Sequence, residues 1–419
     1  MVRRRFVRTA TVAVTSAVLA ALGTAHADTG PVHGPVPDDA GIRKALERTV
    51  GAGAPGAFAV VQDHSEPGND RTVTVGKADL DGTPMNADWR FRVGSNTKMF
   101  TAALVLRLAE QGRIDLDKPL RDYLPTGTLP DDWNVTARQA LRHRSGVYDH
   151  TNDLLEQPGE ETTSAFEKRI RDTVYPPADL VRLSVKRGPQ SAPGSRYAYS
   201  NTNFVVLGMA IEHLTGRPYA EVLRTQIIEP LGLHETSFVV PDKAIDGPHV
   251  TGYLTNDDRS KPLLDSTEQN GSWIWSAGAV ISSAQDLDRF LAALLAGDDG
   301  GVVSDASLRQ MTSVLATPTA GVSYGLGLRE IALSCGKVYG HGGIVQGFQT
   351  QSFATRDGQR TVVVFANASN NGAVTQGLMN TLEPAFCGTK PAPGAAKTAR
   401  ARTSAPTAPA VPVADDTRL

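Results

Sequence analysis

Ser95-Asn96-Thr97-Lys98 places a hydroxyl and an amine three residues apart, where a strand-like pattern gives way to a helical one. Three positions on a helix are nearly one turn, so the two side chains share a face. A serine there sits near the positive end of the helix dipole. A partly desolvated lysine can take its proton and make the hydroxyl a nucleophile. The same spacing recurs in Ser334-Cys335-Gly336-Lys337, but that copy contains a glycine and leads into a strand, so its side chains need not converge. Tyr199-Ser200-Asn201 follows Pro193-Gly194 and precedes the apolar run Phe204-Val205-Val206. A tyrosine hydroxyl beside a cationic lysine can relay protons, and Asn201 can hydrogen-bond both that lysine and a substrate carbonyl. Alone, the tripeptide fits a turn with an asparagine N-cap equally well. His341-Gly342-Gly343 falls on a strand expected from about Lys337. Paired glycines let a ligand backbone come close, and the strand's own N–H groups can pair with an extended peptide. The chemistry rests on all three segments together.

Gly321-Val322-Ser323-Tyr324-Gly325 satisfies the pattern of a nucleophile elbow. That fold needs a helix after the serine, then an acid, then a histidine. Here Glu330 is the only acid before His341, the last histidine of the chain, which leaves no room for the intervening elements. The elbow reading fails. No zinc-protease helix motif, EF-hand loop, P-loop or dinucleotide fingerprint is present, so neither a metal nor a nucleotide cofactor is implied.

The elements that must position these groups follow from periodicity. Asp39 to Val50 reads as a helix, and Ala57–Val61 and Arg71–Val75 as strands, with another near Arg90–Val93 after the Asp81-Gly82 turn. Met99, Ala102, Ala103, Leu106 and Ala109 recur at helical spacing from Ser95 until Gly112, and Phe204 to Leu214 is helical. Asp357-Gly358 marks a hairpin between Gln351–Thr355 and Thr361–Ala366. Strands come from both ends of the chain and helices from its middle. The fold class expected is α+β.

The chain has 419 residues, 42 basic and 44 acidic, for a net charge of −2. This removes the concentrated basic face that nucleic acid requires. The balance is uneven, however. Residues 1–27 carry four basic side chains and no acidic one, and residues 389–419 carry five and two, so the part between has a net charge of −9. Residues 1–27 read as an export signal: Arg3, Arg4, Arg5 and Arg8, an apolar and small-residue stretch, then Ala25-His26-Ala27 as a cleavage pattern, with the Sec and twin-arginine routes both open. The stretch is too short and too rich in Ser and Thr for a membrane span. Residues 389–419, rich in Pro, Ala and Thr, lack apolar periodicity and read as a disordered, removable tail. Residues 28–388 exceed the usual size of one core, so two lobes sharing a cleft are expected. A secreted protein without a membrane anchor follows, and a monomer is expected. In an oxidising compartment Cys335 and Cys387, the only cysteines, most simply form a disulfide; two buried thiols are the other reading.

Ser95-x-x-Lys98, Tyr199-x-Asn201 and His341-x-Gly343 resemble, in order and spacing, the three motifs of the penicillin-recognising serine hydrolases, the serine β-lactamase and DD-peptidase family. Arg92-Val93-Gly94-Ser95, His143-Arg144-Ser145-Gly146, Tyr199 to Val206, Ser266-Thr267-Glu268-Gln269 and Ser276 to Ser283 are most similar to its secreted actinomycete D-alanyl-D-alanine carboxypeptidase/transpeptidases, over about Asp38 to Cys387. The resemblance implies a β-lactamase/transpeptidase-like fold, with an antiparallel sheet flanked by helices, a mostly helical lobe and the active site in the cleft between them. It implies that Ser95 attacks the bond between two D-alanines of a peptidoglycan stem peptide while Lys98 and Tyr199 share the proton transfers. Water or an amine then resolves the acyl-enzyme. The N–H groups of Ser95 and Ile344 would form the oxyanion hole, and Arg329 would bind the substrate carboxylate. Asn201, Trp273, His341, Gly343 and Ile344 complete the implied substrate-binding set, no cofactor is needed, and β-lactam antibiotics would act as acylating inhibitors.

The sequence departs from that relative at three points. Gly342 and Ile344 stand where it carries hydroxyl side chains that help hold the carboxylate, and Leu155 stands where the cleft has an aromatic. Acylation is untouched by these changes, but carboxylate selectivity is weakened. Two other readings therefore accompany the carboxypeptidase: an esterase or β-lactamase of the same fold, and a non-catalytic penicillin-binding protein, against which intact Ser95, Lys98 and Tyr199 argue.

Overall fold

The protein is described by a computed structural model covering residues 35–388 apart from 157 and 299. The expected export signal and the C-terminal tail lie outside the described residues. Helix α1 (Asp39–Gly51) starts where the Asp38 carboxylate accepts the Gly41 N–H at 3.0 Å, an N-cap that satisfies one of the helix's orphan donors. It is followed by β1 (Gly56–Asp63) and β2 (Arg71–Gly76). The middle of the chain holds α2 (Thr97–Glu110), α3 (Pro177–Arg187), α4 (Asn201–Thr215), α5 (Ala284–Leu295) and α6 (Asp305–Met311). Strands then return: β3 (Leu315–Ala316), β4 (Val322–Tyr324), β5 (Arg329–Leu333), β6 (Gly336–Val345), β7 (Phe348–Thr355) and β8 (Arg360–Ala366), before helix α7 (Gly372–Cys387).

One antiparallel sheet runs β2-β1-β8-β7-β6-β5-β4-β3. The N-terminal pair is stitched to the C-terminal set by β1 against β8, from Ala57 opposite Ala366 to Asp63 opposite Arg360. Both faces of these strands are buried, which is why they read as continuous Val and Ala runs rather than as an alternation. On one face α1 and α7 pack together over Ala57, Val61, Phe353, Val362 and Val364. On the other face Phe58, Phe91 and Phe365 form a ring cluster, with centroids 4.9 and 4.5 Å apart, that merges into the core of the helical middle. Helix α2 runs through that core. Eleven of its positions are buried, Lys98 among them, so burial all round replaces a one-sided stripe.

The expected elements appear with boundaries shifted by a few residues. One differs in kind: of the strand expected over Arg90–Val93, only Phe91–Arg92 is extended, and it pairs with Ile281–Ser282 in a separate ribbon instead of joining the sheet. Cys335 and Cys387 are joined, with their Cα atoms 5.4 Å apart, tying the β5–β6 turn to the end of α7.

Candidate active site

Four segments meet around Ser95. The short ribbon ends at Val93, whose N–H reaches Val280 O at 3.0 Å, and a 3-10 turn over Gly94–Asn96 leads into α2. Ser95 therefore sits one turn before the α-helix proper, 4% exposed. Gly94 has φ +55°, and a Cβ there would lie 2.8 Å from the Ile344 backbone N and O. Only glycine lets the serine's turn rest against β6. Gly343 answers from the other side: its Cβ would lie 1.9 Å from Val93 O. The glycines that marked this strand in the sequence are thus explained in part by close approach to the serine's own turn.

Lys98 Nζ donates to Ser95 Oγ at 2.8 Å, to Asn201 Oδ1 at 2.7 Å and to the Ala277 carbonyl at 2.9 Å. Its three acceptors match the three protons of an ammonium, in a position with no exposed surface. The Tyr199 hydroxyl donates to Ser95 Oγ at 2.8 Å, and Lys98 Nζ lies 4.9 Å from the Tyr199 ring centroid. Serine, lysine and tyrosine thus form a closed proton-exchange unit, the geometry required for activating a hydroxyl nucleophile and returning its proton to a leaving group.

The Tyr199 loop is held by a residue outside the three motifs. His143, in the left-handed region at φ 52°, accepts the Ala198 N–H on its carbonyl at 2.8 Å and the Ser200 N–H on Nδ1 at 3.1 Å. Its ring stacks on Tyr199 with centroids 4.1 Å apart. Because Nδ1 accepts, the ring proton is on Nε2, which donates to Tyr324 OH at 3.2 Å; Tyr324 OH in turn donates to His341 Nε2 at 2.8 Å. His341 Nδ1–H then donates to the Gly342 carbonyl. This chain runs from the tyrosine loop to the glycine strand. Burial, reinforced by the charges of Lys98 and Arg329, pushes both imidazoles well below their usual range, so both are neutral.

On one side β6 pairs with β7 along its length, Gly342 opposite Gln351 and Gly343 opposite Thr350. On the other side pairing with β5 stops at Gly340, opposite Arg329. Residues 341–345 consequently have no strand partner on that edge among the described residues, which is the opening an extended peptide needs. Arg329 is 5% exposed, near enough for its charge to reach both histidines. Ile344, with Leu155 and Gln349, lines a cavity of about 410 Å³ that also includes Glu156 and Arg259. Trp273 is the outlier of the expected set: its ring has no exposed surface and packs in the main core, while its carbonyl accepts His150 Nε2–H at 2.8 Å.

The two decoys resolve plainly. Ser334 bonds Glu383 and Lys337 pairs with Glu330 at 2.8 Å, so they do not meet. Ser323 lies in β4, opposite Glu330 on β5, with no helix behind it.

The family description "Beta-lactamase" matches residues 42–383. The chain belongs to this family. A putative penicillin-binding protein of Bacillus subtilis, PbpX, is 27% identical over 286 residues, 68% of this chain and 64% of that protein. The D-alanyl-D-alanine-carboxypeptidase/endopeptidase AmpH of Escherichia coli is 28% identical over 253 residues, 59% of each chain. The chain thus spans less than two thirds of these relatives' length. Among solved structures, a D-stereospecific amidohydrolase from Streptomyces sp. superposes with a TM-score of 0.74 at 36% identity, over 84% of this chain and all of that one. Membership carries the fold and the serine hydrolase class. Among the described residues no helix is long and apolar enough to cross a membrane.

Proposed function

We propose that this family member is an exported serine D-alanyl-D-alanine carboxypeptidase, able to transfer the acyl group to amines as well as to water. The observation that carries the reading is Ser95 Oγ at 2.8 Å from both Lys98 Nζ and Tyr199 OH, beside the open edge of β6. The acylating form has Tyr199 as the phenolate beside the Lys98 ammonium, so Ser95 Oγ bonds to the substrate carbonyl carbon as its proton passes to the Tyr199 oxygen. The C–N bond breaks, the departing amine takes that proton, and water or a second amine cleaves the Ser95 ester. The N–H groups of Ser95 and Ile344 stabilise the oxyanion, and Arg329 binds the carboxylate of the departing D-alanine. The same acyl chemistry makes β-lactams acylating inhibitors. Export rests on residues 1–27, and N-terminal sequencing of secreted protein should start at Asp28.

The test is D-alanine release from an acyl-D-Ala-D-Ala peptide, compared with its methyl ester and with a penicillin. Arg329→Leu should lower kcat/KM on the free acid by about tenfold or more, the scale of one charged hydrogen bond, and change the ester much less. Equal loss on both overturns the carboxylate role. A second reading, hydrolysis of D-amino acid amides or esters, draws on Gly342 and Ile344, which offer no hydroxyl to a carboxylate, and on the likeness to the Streptomyces amidohydrolase. A free acid that is no better a substrate than ester or amide would favour it.

A further inference from the structure

Asp149 belongs to none of the three motifs, yet it ends a chain of contacts that begins at Ser95. Its Oδ2 accepts from Asn201 Nδ2 at 2.9 Å, while Oδ1 of the same carboxamide accepts from Lys98 Nζ at 2.7 Å. A side-chain carboxamide is nearly symmetric in shape, so its partners decide which end faces which way. The lysine ammonium only donates and the carboxylate only accepts. Oxygen toward Lys98 and nitrogen toward Asp149 satisfies both; the reverse satisfies neither. Thr151 Oγ1, 3.4 Å from Asn201 Nδ2, does not decide between them, because a hydroxyl can donate or accept. Asp149 is itself fixed, since its Oδ1 accepts the Thr151 N–H at 3.1 Å, and its side chain is 12% exposed. Asn201, at the first position of α4, has no exposed surface, so no water can stand in for a lost partner without a local opening.

We propose that Asp149 is a positioning residue that locks the Asn201 carboxamide with its oxygen on Lys98, and so holds Lys98 Nζ at Ser95. It touches no reacting atom and acts through Asn201. The inference rests on Ser95 being the nucleophile that Lys98 activates, and not on which amide or ester is cleaved.

The experiment measures the rate at which a fluorophosphonate phosphonylates Ser95 in the full chain. The serine oxygen bonds to phosphorus, fluoride leaves and the proton passes to the lysine–tyrosine unit. The probe therefore reports serine activation whatever the natural substrate is. Asp149→Asn supplies an NH2 group that rewards the reversed carboxamide, whereas Asp149→Ala leaves Lys98 as the remaining vote. The Asn variant should label about tenfold slower than the native chain, the scale of one charge-assisted hydrogen bond, and slower than the Ala variant. A merely structural aspartate would give the opposite order. Adding Asn201→Asp to Asp149→Asn restores an acceptor toward both partners, and labelling should recover above that of the single variant. Native-rate labelling of Asp149→Asn, an Ala variant slower than the Asn variant, or a double variant no faster than the single one each overturns the proposal. If native Ser95 labels but no D-Ala-D-Ala peptide is cleaved, the carboxypeptidase reading falls and this inference stands. If native Ser95 does not label, both fall.

Discussion

Lys98 is the residue where stability and chemistry conflict most. A lysine with no exposed surface is costly unless each proton finds an acceptor, and Ser95, Asn201 and Ala277 supply three. Lys98→Met should cut acylation of Ser95 by roughly 10²–10⁴-fold, the usual range for a proton-transfer group. Combined with Tyr199→Phe the loss should be far less than multiplicative, because the two act on one proton; stopped-flow acylation by a labelled penicillin measures both, and full multiplicativity would separate their roles. The two neutral imidazoles set a second expectation. Below about pH 6.5, the unfolded value, His143 and His341 gain protons in the unfolded chain while the folded chain keeps them neutral. Stability should therefore fall as pH drops from 7.5 to 5. Urea midpoints across that range check the sign, and a flat profile would mean that neither histidine is buried neutral.

At the scale of elements, the site is a contact between a turn and a strand. Gly343 on β6 and Gly94 before α2 have no side chains because each would intrude on the other segment's backbone. Gly343→Ala has nowhere to go, since Val93 O would be 1.9 Å from the new carbon and is main chain. The expected result is about 1–3 kcal/mol of lost stability from overpacking and a roughly hundredfold loss of acylation, because displacing a nucleophile by about 1 Å is enough. Thermal melts and acylation rates together check it. Wild-type acylation in a folded Gly343→Ala variant would show that β6 can retreat without cost. Tyr324 links the same strand to the tyrosine loop through His143 and His341. That link accounts for the histidine of the His-Gly-Gly segment as part of the wall rather than as a base.

Over the whole molecule, the two ends of the described chain are fastened together. Arg360 at the start of β8 bonds Asp63 Oδ2 with Nε at 3.1 Å, and with Nη1 reaches Pro35 O at 2.6 Å and Phe386 O at 3.2 Å. Burial opposes the charge of Asp63, but hydrogen bonds from Ser65 and Arg360 and from the Glu66 N–H, with the Arg360 charge, outweigh it and bring the carboxyl down to about 2. This contribution is present in full above about pH 4, the unfolded value, and is lost as pH falls toward 2. Arg360→Leu strands a buried carboxylate and should cost about 3–5 kcal/mol, read from denaturant midpoints at pH 7. The disulfide fastens the same region. Its partners are 52 residues apart, and the loop-closure argument gives about 4 kcal/mol. The Cys335→Ser/Cys387→Ser pair should lower the melting temperature while leaving Ser95 acylation at 25 °C near native, because neither cysteine lies at the site. A parallel loss of acylation would tie the clasp to the cleft.

Much of this was written in the sequence, because it depends on neighbours along the chain. Helical spacing sets Ser95 and Lys98 on one face, Val-rich runs become buried strands, and two cysteines in the sequence have one partner each. Three motifs together named the family that the match over residues 42–383 bears out. The rest required the tertiary structure, because it depends on groups far apart in sequence that share no spacing. His143 lies in the His143–Gly146 segment and Tyr324 in the Gly321–Gly325 segment, and neither position says that they and His341 form one hydrogen-bonded chain. Asp149 gives no signal at all until α4 brings Asn201 beside it. The pairing of β6 with β5, which stops at Gly340 opposite Arg329 and leaves one edge of β6 open, is likewise a matter of strand geometry rather than of composition. Local periodicity dictates which residues can be reactive. Packing decides what holds them, which ones are neutral, and where a substrate can enter.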